Sequence, residues 1–250
     1  MPHPVDVAEL KRAAVALHAG AFAMTSHTRL GMVGGDDLPA GLSLVVAGVA
    51  GGVGASTVAL AIAEAGGMDR LWDVAPAVTS GLVGVCDREL GVTDALWREG
   101  RRGRLLVQRS PLDWSCTPGE CPLPPQGDHA VLDAGWDVLS LRGARGWIAK
   151  VVFDSTTPVV LVSRCTVPGL RRLEVALELV DPTGGRDVRV AITGLPSKRW
   201  PREITQPAPV ARLEKAGRVA YIPETKVLAM RGLDSQSLPA AVLAAVSNLH

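Results

Sequence analysis

From Ser43 onward the chain alternates short apolar runs with amphipathic stretches, an alternation that predicts strands and helices in turn. Leu44 to Val49 is a Val-rich run, followed by a glycine turn and then by Ser56 to Ala65, which is helical by composition. A short buried strand, a glycine turn and a helix open a βαβ unit. Further strands are expected over 70–74, 105–108, 130–133, 158–163, 188–193 and 218–222, with helices over 93–99, 138–153, 168–179, 208–216 and 238–249. Strands that are apolar on both faces and separated by helices belong to a parallel sheet covered on both sides. The expected fold is α/β: a doubly wound, mostly parallel sheet flanked by helices.

The N-terminal stretch reads differently. Val7, Leu10, Ala14, Leu17 and Ala21 recur at helical spacing between Val5 and Met24, which predicts an amphipathic helix, and Thr25 to Gly41 reads as a polar, Gly-rich linker. The expected division is residues 1–41 as helix and linker, and 42–250 as one α/β domain with no second boundary. The apolar face of the helix must bury on its own domain or on a partner.

Composition narrows the function classes. With 250 residues, 47% of them apolar and 20% charged, the chain can bury a sizeable core, which excludes a disordered tail. Its 27 Gly and 18 Pro show no three-residue period, which excludes a collagen-like chain. Only 2 Phe and 1 Tyr accompany 6 Trp, so Ala and Val supply most of the core. A net charge of +1 gives the whole molecule no electrostatic reason to seek nucleic acid or anionic lipid. One dense basic cluster exists, Arg98, Arg101, Arg102, Arg104 and Arg109; it reads either as a solvated helix end and turn or as an anion or DNA contact.

No apolar run approaches the ~20 residues of a membrane span. Asp6, Glu9, Lys11 and Arg12 interrupt the N-terminus where a secretory leader would be apolar, so a cytoplasmic location is expected. Cys86 and Cys165 sit in apolar contexts and read as core residues. Cys116 and Cys121 bracket Thr-Pro-Gly-Glu in a Pro-rich stretch; a structural or redox-sensitive loop, a metal site with His129 nearby, and a disulfide are the alternatives.

The sharpest local feature is Val49-Ala50-Gly51-Gly52-Val53-Gly54-Ala55-Ser56-Thr57, between the first strand and its helix. Glycine-rich turns let backbone N–H groups point inward, and the helix N-terminus adds positive potential, so such a loop can cradle phosphates. Ser56 stands where a P-loop hydroxyl meets magnesium. A dinucleotide fingerprint fits less well, because Thr57 falls where its third glycine belongs. A tight strand-to-helix turn with no ligand is the alternative.

This loop resembles the deviant Walker A motif of the MinD/ParA-type P-loop ATPases of the SIMIBI class. The likeness continues through Arg70-Leu-Trp-Asp-Val-Ala-Pro and Ser80-Gly81-Leu82, similar to the second strand and switch I of that family. His129-Ala-Val-Leu-Asp133-Ala-Gly resembles its Walker B and switch II, and Val159 to Val162, Val188 to Leu195 and Val219-Ala-Tyr-Ile-Pro223 resemble the later strands. The match spans about Leu42 to His250. It implies a P-loop NTPase-like fold and a nucleotide site at Gly51, Gly52, Val53, Gly54, Ala55, Ser56, Thr57 and Asp133. ATP or ADP would be the cofactor, with Ser56 and Asp133 on magnesium, and Asp73 is the weak candidate for a catalytic carboxylate.

The departures from the family pattern are as informative. Ala50 stands at the signature lysine that reaches across the family's dimer, Ala55 at the P-loop lysine, and Ala75 where a carboxylate often orients water. Phosphoryl transfer rests on placed positive charge and an oriented nucleophile, and one such group is commonly worth about 2.7–4 kcal/mol of barrier. Thr193 or Gly194 takes the place of the usual base-recognition asparagine. Arg142, Arg145 or Arg164 could replace the missing charge in space.

Three function classes follow. The first is a catalytically impaired MinD/ParA-like protein, a pseudo-ATPase with weak or no nucleotide binding, acting as a positioning, scaffold or adaptor factor through protein contacts. The second is a working ATPase with relocated positive charge. The third is a partition-like protein that contacts DNA through the Arg98 to Arg109 cluster or Arg171 and Arg172, disfavoured by the net charge. A protein partner is expected, and a homodimer through apolar switch surfaces or the N-terminal helix is consistent with the pattern. Trp97, Trp114 and Trp200 are candidate anchors if exposed, with core packing as the alternative for each.

Overall fold

The computed structural model describes residues 38–113, 115–195, 197–200 and 204–250. The helix expected over 5–24, most of the linker and Trp114 lie outside these residues. The described elements belong to the unit Gly35–His250.

Nine strands run through the described residues: β1 (Leu42–Gly48), β2 (Arg70–Asp73), β3 (Arg88–Val92), β4 (Arg98–Arg102), β5 (Leu105–Arg109), β6 (Ala130–Asp137), β7 (Val159–Arg164), β8 (Val188–Thr193) and β9 (Val219–Ile222). They form one sheet in the order β3-β4-β5-β2-β6-β1-β7-β8-β9. All neighbours from β5 to β9 pair in parallel, whereas β3, β4 and β5 form an antiparallel meander at one edge. Seven α-helices among the described residues accompany the sheet: α1 (Ala55–Ala65), α2 (Val138–Arg142), α3 (Trp147–Phe153), α4 (Val167–Val180), α5 (Ala208–Lys215), α6 (Lys226–Arg231) and α7 (Ala240–Ala245).

The period-2 geometry of a strand sends alternate residues to opposite faces, and both faces here are buried. In β1, Val45 and Ala47 join Leu132, Leu161 and Ile192 in a layer closed by Leu141, Ile148 and Leu173 from α2, α3 and α4. Leu44 and Val46 face the other way, into a layer closed by Leu60 and Ile62 of α1 and Val242 of α7. Helix α1 is buried continuously from Val58 to Ala63. Its alternating alanines keep it thin enough to lie close on β1 and β6, which explains why so many small residues serve this core.

Several expected elements differ. The helix expected over 93–99 is absent; this stretch is the tip of the β3–β4 hairpin and the first two residues of β4. Arg98, Arg101, Arg102, Arg104 and Arg109 therefore lie on a meander and not at a solvated helix end. The long helix expected over 138–153 is two, because Gly146 adopts φ 103 and its backbone lies against Gly119, where a Cβ would sit 3.0 Å from the Gly119 Cα. An L side chain at that position would be strained twice over, so the chain turns there and restarts. The last helix is shorter than expected, Ala240–Ala245, and α6 was not expected. Trp97 is fully buried and is no surface anchor, and Trp200 is half-buried, edge-on to Tyr221 at 6.2 Å. Cys86 and Cys165 are partly buried against the two core layers.

Candidate functional site

The parallel pairing brings three strand ends to one rim of the sheet. β1 ends at Gly48 and enters the glycine loop, while β2 and β6, adjacent to each other, deliver Asp73 and Asp133 to the same register position. In a doubly wound sheet, the carboxyl ends of the strands are where ligands bind. All sequence-predicted site residues are gathered here: Gly51, Gly52, Val53, Gly54, Ala55, Ser56 and Thr57 in the loop and first turn of α1, with Asp73 and Asp133 behind them.

The loop keeps a backbone cradle. Gly51 and Gly52 are exposed, and a Cβ on either would meet nothing within 4 Å. The rest of the loop is closed from within. Val53 is buried and packs towards Gly48. Thr193, which the resemblance placed at base recognition, instead donates its hydroxyl to the Val53 carbonyl at 3.1 Å and the Ser163 carbonyl at 3.2 Å, tying the loop to β7 and β8. Val49 stands where the P-loop motif carries its first glycine, and it is buried too. That departure was readable by counting back from Gly54, and the sequence reading passed over it.

Asp73 and Asp133 are both fully buried. The Asp73 carboxylate accepts hydrogen bonds from the Ser80 hydroxyl and, at 3.0 Å, from the Ala75 N–H. Burial and the neighbouring Asp133 charge nevertheless push it up to about 7, against the lowering influence of Ser80, Ala75 and Arg109. Burial likewise raises Asp133, with the Ser56 hydroxyl and the Gly135 N–H opposing it. Asp133 Oδ2 has no hydrogen-bond partner among the described residues. Two neighbouring carboxylates in a site of low dielectric cannot both hold a charge cheaply, which is why both are raised above the ordinary carboxylate range.

The switch segments close directly on this pair. Gly81 lies so near Ser56 that a Cβ there would be 3.2 Å from the Ser56 hydroxyl. Gly135, at φ 68, lies over Ala75, where a Cβ would be 2.5 Å from the Ala75 nitrogen. The space beside Ala75 is thus filled by backbone. Leu82 and Val85 bury their side chains under the same loop.

Among the described residues, positive charge is supplied from the flank. Arg109 is the register partner of Asp73 on β5, buried, and bonded to Glu89 and to the Val83 carbonyl. Arg102 is also buried; it pairs with Glu64 and donates to the carbonyls of Val85, Asp234 and Gln236. Both arginines anchor the loop that follows Ala75, a role that sequence reasoning missed, because nothing in the spacing separates them from their exposed neighbours. Of the proposed replacements for the P-loop lysine, Arg164 pairs with Glu224 and Arg142 lies 5.6 Å from the Phe153 ring. Arg145 is exposed. None of these observations puts a cation on the glycine loop.

The cysteine alternatives resolve in part. Cys116 and Cys121 are free thiols, and no group of three or more His, Cys, Asp or Glu side chains among the described residues could hold a metal. Cys121 is buried, its carbonyl accepting from the Trp147 indole at 2.9 Å. No helix among the described residues is long and apolar enough to cross a membrane.

Nucleotide and magnesium are the groups that such a fold implies. Ser56 and Asp133 are suitable magnesium donors. The phosphate side does not fit: a triphosphate would enter beside two buried carboxylates with backbone amides and a helix dipole as its partners, and with no ammonium or guanidinium on the loop.

No protein-family model matches the chain, and neither does any curated protein. Solved structures do. The MinD cell division protein of Aquifex aeolicus superposes with a TM-score of 0.54 at 16% identity, covering 84% of this chain and 97% of that one. The MinC:MinD cell division complex of the same organism gives 0.53 at 15%, covering 84% and 95%. The cell division ATPase MinD of Pyrococcus furiosus gives 0.50 at 17%, covering 84% and 100%. The nine-stranded, mostly parallel sheet with helices on both faces is thus the P-loop fold of the MinD cell division ATPases.

Proposed function

We propose that this chain is a MinD/ParA-like protein that has lost ATP hydrolysis and acts as a positioning, scaffold or adaptor factor through protein contacts, binding nucleotide weakly or not at all. The observation that carries the reading is the substitution of the chain's own contacts for those a nucleotide would make. Val49, Ala50, Ala55 and Ala75 remove the motif's first glycine and three charges, while Ser80 on Asp73, Gly81 on Ser56 and Thr193 on the loop close the same space. A site arranged this way holds its switch segments without a ligand. A surface that does not depend on nucleotide suits a constitutive adaptor better than a cycling motor.

Further parts of this reading rest on the sequence. Residues 1–41 form a helix and linker appended to the 42–250 domain, the protein works in the cytoplasm, and it engages a protein partner or a second copy of itself. The Aquifex MinD structure in complex with MinC supplies an analogy for a protein partner. Calorimetric titration with ATP or ADP and magnesium is expected to be flat or to show only weak binding, and purified protein is expected not to release phosphate. ATP hydrolysis that disappears in Asp133→Ala would overturn the reading.

A further inference from the structure

The geometry points to the β3–β4 hairpin as a docking edge for an extended acidic segment of a partner protein, added as a further strand along β3. This edge lies five strand positions from β1, about 24 Å at ~4.8 Å per step, so it is separate from the glycine loop and stands whether or not nucleotide binds. All five residues of β3 are exposed, and β3 ends the sheet, leaving backbone N–H and C=O groups on its outer side without a neighbouring strand among the described residues.

Charge on the hairpin is unbalanced in one direction. Arg88 faces Arg101 directly across the pair, a like-charge juxtaposition that costs stability unless an anion lies between. Arg98 faces Arg109 in the same way, but Arg109 has Glu89. The local carboxylates are engaged elsewhere: Glu89 on Arg109, Glu99 with the Gln108 amide, and Asp87 with the Gly103 N–H. Asp94 remains at the tip. Arg88, Arg98, Arg101 and Arg104 are left exposed without an ion pair among the described residues.

The occupant follows from what accompanies the charge. Leu90, Val92 and Leu96 are half or more exposed beside these arginines, so the edge offers alkyl contacts as well as cations, together with the ladder groups of a strand. A partner strand that alternates carboxylates with aliphatic side chains satisfies all three, which is the β-addition mode of peptide recognition. Nucleic acid fits less well, since the four cations are spread over two short strands and the turn after them, and the edge carries no exposed aromatic for base stacking.

The test uses the full chain and a fluorescent peptide of roughly ten residues alternating Glu and Val, with a Lys–Val peptide and a short DNA duplex as competitors. The acidic peptide is expected to bind, to weaken as salt rises, and to shift backbone amide resonances at 88–92. The Arg88→Ala/Arg101→Ala variant, altered at exposed side chains and checked for an unchanged melting curve, is expected to bind about tenfold or more weakly, and Arg88→Lys/Arg101→Lys to keep most of the affinity. Absence of acidic-peptide binding, equal binding by the alanine variant, amide shifts elsewhere than this edge, or tighter binding of the duplex would each overturn the assignment.

Discussion

The centre of the sheet's carboxyl rim and its β3–β4 edge use charge in opposite ways. At the centre, Asp73 and Asp133 are buried and raised in pKa, and the glycine loop from Val49 to Thr57 carries no cation. At the edge, Arg88, Arg98, Arg101 and Arg104 are solvated, with the nearby carboxylates engaged by other groups. Between them stand Arg102 and Arg109, whose buried guanidinium groups tie the hairpin to the loop after β2. The contrast teaches that residues of one type in one short stretch of chain can serve as internal struts or as outer surface. Burial decides which.

Breaking a strut should have the largest effect. Arg102→Ala leaves Glu64 without its partner and removes the donor to three carbonyls, so a loss of about 3–5 kcal/mol in urea unfolding is expected, and Arg102→Lys should recover only part of it. The central carboxylates come next. Because Asp73 is raised from 3.8 to about 7, the native state holds its proton more tightly than the unfolded chain. Its stabilising contribution is therefore full below about pH 4, declines as pH rises towards 7, and is level above that, a change of up to roughly 4 kcal/mol. Asp73→Asn should flatten this slope in unfolding measurements from pH 4 to 8, and an unchanged slope would show that the pair does not share a proton.

Restoring the missing cations sharpens the contrast further. Ala50→Lys/Ala55→Lys should raise ATP affinity by about tenfold or more over the wild type in calorimetry, since ammonium groups would meet the phosphates. No gain would mean that the closed loop and not its neutrality excludes the ligand. Thr193→Val removes the hydroxyl that ties the loop to β7 and β8 and should cost about 1 kcal/mol, with faster amide exchange at 51–54. Arg88→Ala or Arg98→Ala, at the exposed edge, should change unfolding free energy by no more than about 0.5 kcal/mol.

Much of this architecture was legible from pattern. The runs that form β1, β2, β5, β6, β7, β8 and β9 are short, largely apolar and punctuated by glycine or polar turns, so their period and boundaries survive in the sequence. The hairpin was not legible. Arg98-Glu-Gly-Arg-Arg carries charges typical of a solvated helix end, and it is pairing of β4 with β5, and of β3 with β4, that makes strands of this stretch and of Arg88-Glu-Leu-Gly-Val. The same holds for 138–153, whose apolar spacing suits one helix until the contact of Gly146 with Gly119 divides it.

At the site, the sequence alone determined that the glycine loop and the position two after Asp73 carry no charge, because Ala50, Ala55 and Ala75 are identities and no folding can alter them. That Ser56 and Asp133 would meet was implied by the resemblance, and the pairing of β1 with β6 is what brings them to one rim. Only the tertiary structure decided that Thr193 clamps the loop, that Gly81 and Gly135 close on Ser56 and Ala75, and that two of the five clustered arginines are internal. The physical reason is distance along the chain. Residue identity is local, whereas burial and hydrogen bonding here join positions up to 140 residues apart, such as Thr193 and Val53.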